Sequence, residues 1–432
     1  MEITEILILV FSFVILLSLG VPISYSIGIS SLLTMLMSIK TIPALTTVSQ
    51  RMATGLDSFA LLAIPFFILA GQLMNSGGIA RRLIEFAKIL VGKLPGGLAF
   101  VNIMAAMLFG AISGSAVAAA SAIGGFMTPV MRKEGYDRSF SAAVNITSAT
   151  TGMIIPPSNI LIVYSLASGG VSIAALFLAG YIPGILLGVS LMVVAGIYAK
   201  KNKYKIEFHV TVTEAFKIFF DAVPSLLLII IVIGGIVAGY FTATEASAVA
   251  VFYAFFLSVF IYKEIKFKDI PQILLSSSIT TAIVMMLIAT SMAMSWVMAY
   301  ENIPQNVAEA LITLSDSKFV IFLIINLILL FVGTFMDMTP AVLIFTPIFL
   351  PVAIKLGVDP IHFGIIMVVN LSIGLCTPPV GSVLFVGCSV AELPITKVIK
   401  PLIPFFIAMI ISLFIITYGP DLSLFIPRYF GY

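Results

Sequence analysis

Along the chain, continuous apolar runs of roughly 18–28 residues alternate with short polar stretches, and one helical crossing of a bilayer needs about 20 apolar residues. The pattern predicts an all-α polytopic membrane protein with around eleven or twelve membrane segments. Simple crossings are expected near 6–20, 22–39, 59–75, 173–199, 217–240, 243–262, 278–299 and 401–418. Outer-membrane barrels instead show alternating segments of about ten residues. Two runs resist a simple crossing. One lies between Lys93 and Arg132 and is broken at Ser113-Gly114-Ser115; the other lies between Lys318 and Lys355 and is broken from Gly333 to Pro340.

Composition narrows the class. Of 432 residues, 61% are hydrophobic and 9% charged, far from the roughly 25% charge of soluble domains. A soluble, disordered or disulfide-stapled protein is excluded; Cys376 and Cys388 are the only cysteines and both sit in apolar runs. A net charge of +3 gives no reason to expect a nucleic-acid partner, so the expected surroundings are a lipid bilayer. Glu2 and Glu5 follow Met1 without a basic region or a small-residue cleavage site, so the first run is expected to be a retained helix. The longest polar stretch, 200–213, is too short for a core of its own.

Charge placement orients the runs. Seventeen of the 22 Lys and Arg fall in five clusters, around Arg81–Lys93, Arg132–Arg138, Lys200–Lys217, Lys263–Lys268 and Lys397–Lys400. The positive-inside rule places these loops in the cytoplasm and the N-terminus outside. Both ends of the first broken run are then cytoplasmic and both ends of the second are external. A segment that enters and leaves on one side is a re-entrant hairpin, tolerated only where protein or a polar cavity covers it.

Adding 222 to a position superimposes the two breaks: Pro129 on Pro351, Gly135 on Gly357, Asp137 on Asp359, Gly152 on Gly374, Pro156 on Pro378 and Pro157 on Pro379. Only ten of 58 positions match from Leu108 onward, but the matches that matter are Gly and Pro, which set backbone geometry. The Arg132–Arg138 loop is basic and its counterpart near neutral, the mark of an inverted-topology repeat. Each copy also carries a helix cut by tandem prolines, at 154–159 and 376–381. Proline removes an N–H and displaces a carbonyl. The unpaired carbonyls need compensation at membrane depth, by a cation, by water or by neighbouring groups.

Polar groups gather at these breaks. The first copy offers Ser113, Ser115, Asn145, Thr147, Ser148, Thr150, Thr151, Ser158 and Asn159; the second offers Thr334, Asp337, Thr339, Asn370, Ser372 and Thr377. Asp337 is the one acid at a break, and is read either as a cation ligand or as a cap bracing the hairpin tip. No Lys or Arg falls in the expected cavity, so an anionic substrate would be held by helix N-termini and hydroxyls. No nucleotide-binding Gly-rich loop and no catalytic constellation is present; His209, His362 and Cys376 read as structural. Stretches 78–92 and 302–314 are amphipathic and suit interfacial arms.

The chain resembles the large membrane subunit of the tripartite ATP-independent periplasmic (TRAP) transporters. The likeness runs over nearly the whole length, through GVPISYSIG (20–28), LLAIPFFILAGQLMNSGGIARRLIEFA (61–87), GAISGSAVAAASAIGGFMTPVMRKEGYD (110–137), TGMIIPPSNILIVYS (151–165), FTATEASAVAVFY (241–253), GTFMDMTPAVLIFTPIFLPVAIKLG (333–357) and GLCTPPVGSVLFVG (374–387). The resemblance implies Na+-driven import of an organic acid into a bacterium across its inner membrane, a small four-helix membrane subunit supplied as a separate chain, and a periplasmic binding protein that delivers substrate. The overall wording is most similar to sialic-acid members, with C4-dicarboxylates as the other substrate class.

The implied fold is an elevator. Scaffold and arm occupy 1–92 and 173–317, the moving transport domain occupies 93–172 and 318–391, and a C-terminal helix follows over 392–432. One Na+ site is implied at Ser113, Gly114, Ser115, Gly152, Ile155, Pro156, Ser158 and Asn159. The other is implied at Gly333, Thr334, Asp337, Thr339, Gly374, Thr377, Pro378 and Gly381. Substrate is expected at Ser115, Asn145, Ser148, Thr151, Asn159, Asn370, Ser372 and Pro379. The alternative expectation is a stand-alone ion-coupled carboxylate transporter; a channel or a membrane subunit of an enzyme complex is more remote.

Overall fold

The computed structural model describes residues 2–94, 96–204, 211–315 and 317–432; His209 lies outside them. Among the described residues every regular element is helical. The first half runs α1 (Glu2–Ser18), α2 (Ile23–Ser38), α3 (Thr41–Gly55), α4 (Ala63–Ser76, entered through a 3-10 turn), α5 (Ile79–Val91), α6 (Gly97–Ser113), α7 (Ala116–Lys133), α8 (Arg138–Thr151), α9 (Asn159–Ala167) and α10 (Ile173–Lys201). The second runs α11 (Val212–Val237), α12 (Ala243–Phe256, prolonged by a π turn), α13 (Ile270–Tyr300), α14 (Ile303–Leu314), α15 (Lys318–Phe335), α16 (Met338–Lys355), α17 (Pro360–Gly374), α18 (Ser382–Ala391), α19 (Ile395–Tyr418) and α20 (Asp421–Tyr429).

Eight helical stretches among the described residues are long and apolar enough to cross a membrane, which makes this a multi-pass membrane protein. Five shorter apolar helices accompany them among the described residues. Helices such as α2, α17 and α18 are apolar but hold only 10–17 residues, because Gly and Pro cut the runs that composition joins. The breaks are also wider than the prolines alone suggest, spanning 152–158 and 375–381. Helix α3 was not anticipated: its sequence TIPALTTVSQRMATG is too polar to register as a span, yet Ala44 and Val48 are buried.

Local chemistry starts the helices where they start. Asp137 caps α8 by accepting the Phe140 N–H at 2.8 Å, and Asp359 caps α17 by accepting the Ile361 N–H at 2.8 Å. These two aspartates are one of the repeated pairs. The repeat is carried into three dimensions: α7 and α16 both hold 18 residues, and Pro156-Pro157 and Pro378-Pro379 are both cis. Within each copy the first hairpin helix packs on the helix before the break, α6 on α8 and α15 on α17. Between copies, α7 packs on α18 and α16 on α9, so the copies interlock crosswise.

Around this core, α4 packs on α12, and α13 leans on α2, α3, α4 and α16. The amphipathic helices sit between the two groups: α5 touches α6 and α11, and α14 touches α16 and α13. Helix α5 is tied down by charge. Arg82 pairs with Asp221 at 3.1 Å and lies over the Tyr262 ring at 3.5 Å, while Arg81 pairs with Glu264 at 2.9 Å.

Candidate functional site

The two hairpin tips meet at one cavity of about 410 Å³. Helix α4 contributes Ile64, Ile68, Gly71, Gln72 and Asn75; the first hairpin contributes Ser113 to Ala118 and Ser121. Met153, Asn159, Ile160 and Val163 come from the first broken helix, Thr280 and Val284 from α13, Asp337, Met338 and Thr339 from the second hairpin, and Leu375 from the second break.

Three helix N-termini open onto this space: α7 at Ala116, α9 at Asn159 and α16 at Met338. The first N–H groups of a helix lack partners within it and carry positive partial charge, so the cavity favours an anion. Among the described residues no Lys or Arg lines it, and Asp337 is its one ionisable side chain. Asp337 holds the N-cap position of α16, where its carboxylate faces the Met338 and Thr339 backbone N–H groups, and it is exposed to the cavity. A carboxylate beside an anion site calls for a cation: two like charges 4 Å apart repel by about 4 kcal/mol at an effective dielectric of 20.

The expected cation-site residues divide into a front row and a back row. In the first copy, Ser113, Gly114, Ser115 and Asn159 face the cavity. Gly114 takes a positive φ of +61°, and a Cβ there would fall 2.6 Å from Asn159 Nδ2, so tip and break touch. Gly152 lies behind, backbone to backbone with Gly110. Ser158 is buried and donates to the Met153 carbonyl. Ile155 and Pro156 pack towards α10, against Gly184 and Gly180.

In the second copy, Asp337 and Thr339 face the cavity. Gly374 packs on Gly333, and the Gly381 N–H donates to the Thr334 carbonyl at 3.1 Å, again joining tip to break. The Thr377 hydroxyl donates to the Ile373 carbonyl at 2.8 Å, and Pro378 is half-buried. Next to Gly381, the buried Ser382 Oγ has no hydrogen-bond partner. Hydroxyls, carbonyls and one carboxylate form the kind of hard-oxygen donor set that suits a small cation.

The expected substrate residues separate more sharply. Ser115 and Asn159 line the cavity; Asn145, Ser148, Thr151, Asn370, Ser372 and Pro379 do not. Asn145 donates to the Ala120 carbonyl at 2.9 Å and Asn370 to Asn326 Oδ1 at 2.7 Å, both fully inside the helix packing. The Thr151 and Ser372 hydroxyls fold back onto Ser148 and Val368 carbonyls, as hydroxyls in apolar helices do, and Ser148 reaches Asn102. Pro379 is exposed elsewhere.

The polar cavity side chains outside the expected set are Gln72, Asn75, Ser121 and Thr280. The available signal for the first two was a pair of amides three apart in an otherwise apolar helix, which places them on one face.

A multi-helix membrane protein whose paired hairpins and interrupted helices close on a shared cavity has the build of a transporter. The family model for the tripartite ATP-independent periplasmic transporter, DctM component, matches residues 10–422, and the chain belongs to that family.

Its relatives agree. It is 56% identical to the uncharacterized protein YgiK of Salmonella typhimurium, covering 99% of this chain and 98% of that one. It is 39% identical to the C4-dicarboxylate TRAP transporter large permease protein DctM of Rhodobacter capsulatus (98% and 99% covered). It is 38% identical to the sialic acid TRAP transporter large permease protein SiaM of Vibrio cholerae (98% and 99% covered). Identity therefore does not separate those two substrate classes. The fold is similar to the crystal structure of the Alcanivorax borkumensis YdaH transporter, with a TM-score of 0.61 at 13% identity over 90% of this chain and 89% of that one.

Proposed function

We propose that this large permease imports an organic acid across the bacterial inner membrane, driven by Na+ and moving by an elevator mechanism, with its N-terminus periplasmic. The observation that carries the reading is the cavity itself: three helix N-termini, one carboxylate and, among the described residues, no cationic side chain. The N-termini and the amides of Gln72, Asn75 and Asn159 hold the substrate carboxylate. Sodium bound near each hairpin tip offsets the repulsion from Asp337 and from the freed carbonyls, so substrate and ion favour each other's binding. That reciprocal gain is the thermodynamic basis of coupling.

The elevator reading is supported by the division of the cavity wall between two packed groups. Hairpins and broken helices interlock with one another, while α4 and α13 belong to the surrounding frame. The arms α5 and α14 bridge the two groups. Sliding the interlocked group past the frame would carry hairpin tips and bound ligands together. Membership in a tripartite family, as a large permease, supports extending the proposal to a small membrane subunit and a periplasmic binding protein as partners. Sialic acid is the favoured substrate and a C4-dicarboxylate the alternative; a cavity of about 410 Å³ has room for either.

The test is uptake of labelled sialic acid and succinate into proteoliposomes holding this chain with its small subunit, with and without an inward Na+ gradient and the binding protein. Uptake that needs both supports the proposal. Gradient-driven uptake without the binding protein would make this a stand-alone transporter, and gradient-independent flux would make it a channel.

A further inference from the structure

Helix α4 has a second face. Ile68, Gln72 and Asn75 look into the substrate cavity, whereas Phe66, Leu69 and Leu73 line a separate groove of about 330 Å³. Phe252 and Phe255 of α12 and Ile270 of α13 are among its other walls, and among the described residues no charged side chain lines it. Between Phe66 and Leu73 the groove follows roughly 10 Å of helix, the length of a segment of acyl chain rather than of a compact solute.

One end of the groove is marked by charge. Its walls α12 and α13 are joined by the loop 262–269, and Ile270 opens α13 directly after that loop. The loop carries Lys263, Lys266 and Lys268, all exposed, together with exposed Phe267. Its two acids are engaged: Glu264 pairs with Arg81 at 2.9 Å, and Asp269 accepts the Lys266 N–H at 3.0 Å. None of the three lysines is in an ion pair among the described residues. An apolar slot ending at free ammonium groups is complementary to a molecule with a hydrocarbon tail and an anionic head. By its charge the loop is cytoplasmic, the side on which basic juxtamembrane clusters recognise anionic lipid.

We propose that the groove between α4, α12 and α13 binds one anionic phospholipid, its acyl chain along Phe66, Leu69 and Leu73 and its phosphate at Lys263, Lys266 and Lys268. The bound lipid braces two helices that also wall the substrate cavity, since Thr280 and Val284 of α13 line the cavity as α4 does. Lipid occupancy therefore stiffens the frame against which the hairpins are held.

Native mass spectrometry of the full-length permease with its small subunit tests this. The probes are phosphatidylglycerol and phosphatidylcholine of matched chains, added in equal amounts. Phosphatidylglycerol should be retained about tenfold over phosphatidylcholine. The variant K263Q/K266Q/K268Q should bring the two to parity, and Ala248→Phe, which fills the groove from an exposed position, should displace phosphatidylglycerol while leaving the protein folded. Lys397→Gln/Lys400→Gln should leave the preference intact. Equal retention of the two lipids by the parent protein would overturn the proposal, as would a preference that survives the triple variant or the filled groove. Cross-linking of Phe252→Cys to the small subunit would overturn it as well, because that partner would then occupy the face.

Discussion

At the tip of the first hairpin, Ser115 caps α7 by accepting the Ala118 N–H at 3.2 Å. At the matching place in the second copy, Asp337 stands at the start of α16 and turns a carboxylate, not a hydroxyl, to the Met338 and Thr339 N–H groups. The breaks differ in the same way. Asn159 opens α9 and turns its amide towards the cavity, while its counterpart Gly381 has no side chain and gives its N–H to the Thr334 carbonyl. The two copies thus share backbone devices and differ in the groups mounted on them. One tip carries a neutral hydroxyl; the other carries a carboxylate that meets only the Met338 and Thr339 N–H groups at the start of its own helix and brings a charge to the cavity. The matched positions give the two copies like backbones, and the residues at unmatched positions make the cavity between them asymmetric.

The symmetric part of this comparison is broken most severely at the paired glycines. A Cβ on Gly152 would fall 2.3 Å from Gly110 Cα, and one on Gly374 would fall 2.6 Å from Gly333 Cα. Backbone faces backbone in both, so no side chain can swing away. Gly152→Ala and Gly374→Ala should each lose about 3 kcal/mol or more of stability, beyond the usual 1–3 for overpacking. Thermal unfolding followed by size-exclusion chromatography checks this, with Gly125→Ala, which meets nothing within 4 Å, as the unaffected control. Loss at one site only would mean that the copies are not equivalent in packing.

The asymmetric part is tested next. Asp337→Asn should lower Na+-driven uptake about 100-fold, the equivalent of roughly 2.7 kcal/mol, without altering thermal stability. An unchanged Na+ titration would leave Asp337 as a brace for the tip. Gln72→Ala and Asn75→Ala come third. Each should raise the KM for substrate about tenfold, the usual cost of one hydrogen bond to a charged group; a KM at the parent value would remove α4 from the binding surface. Smallest is Ser115→Ala, which removes a helix cap and should cost about 1 kcal/mol of stability, read as a modest drop in melting temperature. A larger loss of uptake than of stability would give Ser115 a direct role at the ion or substrate.

Much of this was legible before any coordinates. Apolar run length, the tandem prolines, the break at Ser113-Gly114-Ser115 and the 222-residue shift act through local geometry, and a residue's φ preference travels with it into the fold. The helix caps at Asp137 and Asp359 are local in the same sense.

Which polar groups reach the cavity was a different matter. Thr151 and Ser372 look as available in the sequence as Ser115 does, but their helices are enclosed on every side and their hydroxyls return to their own backbones. Asn145 and Asn370 hold neighbouring helices together instead. Gln72, Asn75 and Thr280 become cavity residues only because α4 and α13 pack beside hairpins far away in the chain. The sequence by itself determined the membrane class, the repeat and the positions of the breaks, because those rest on properties of single residues and short runs. Only the tertiary structure decided the membership of the cavity. Facing is set by helix rotation and by the crosswise packing of one copy on the other, and no local pattern encodes either.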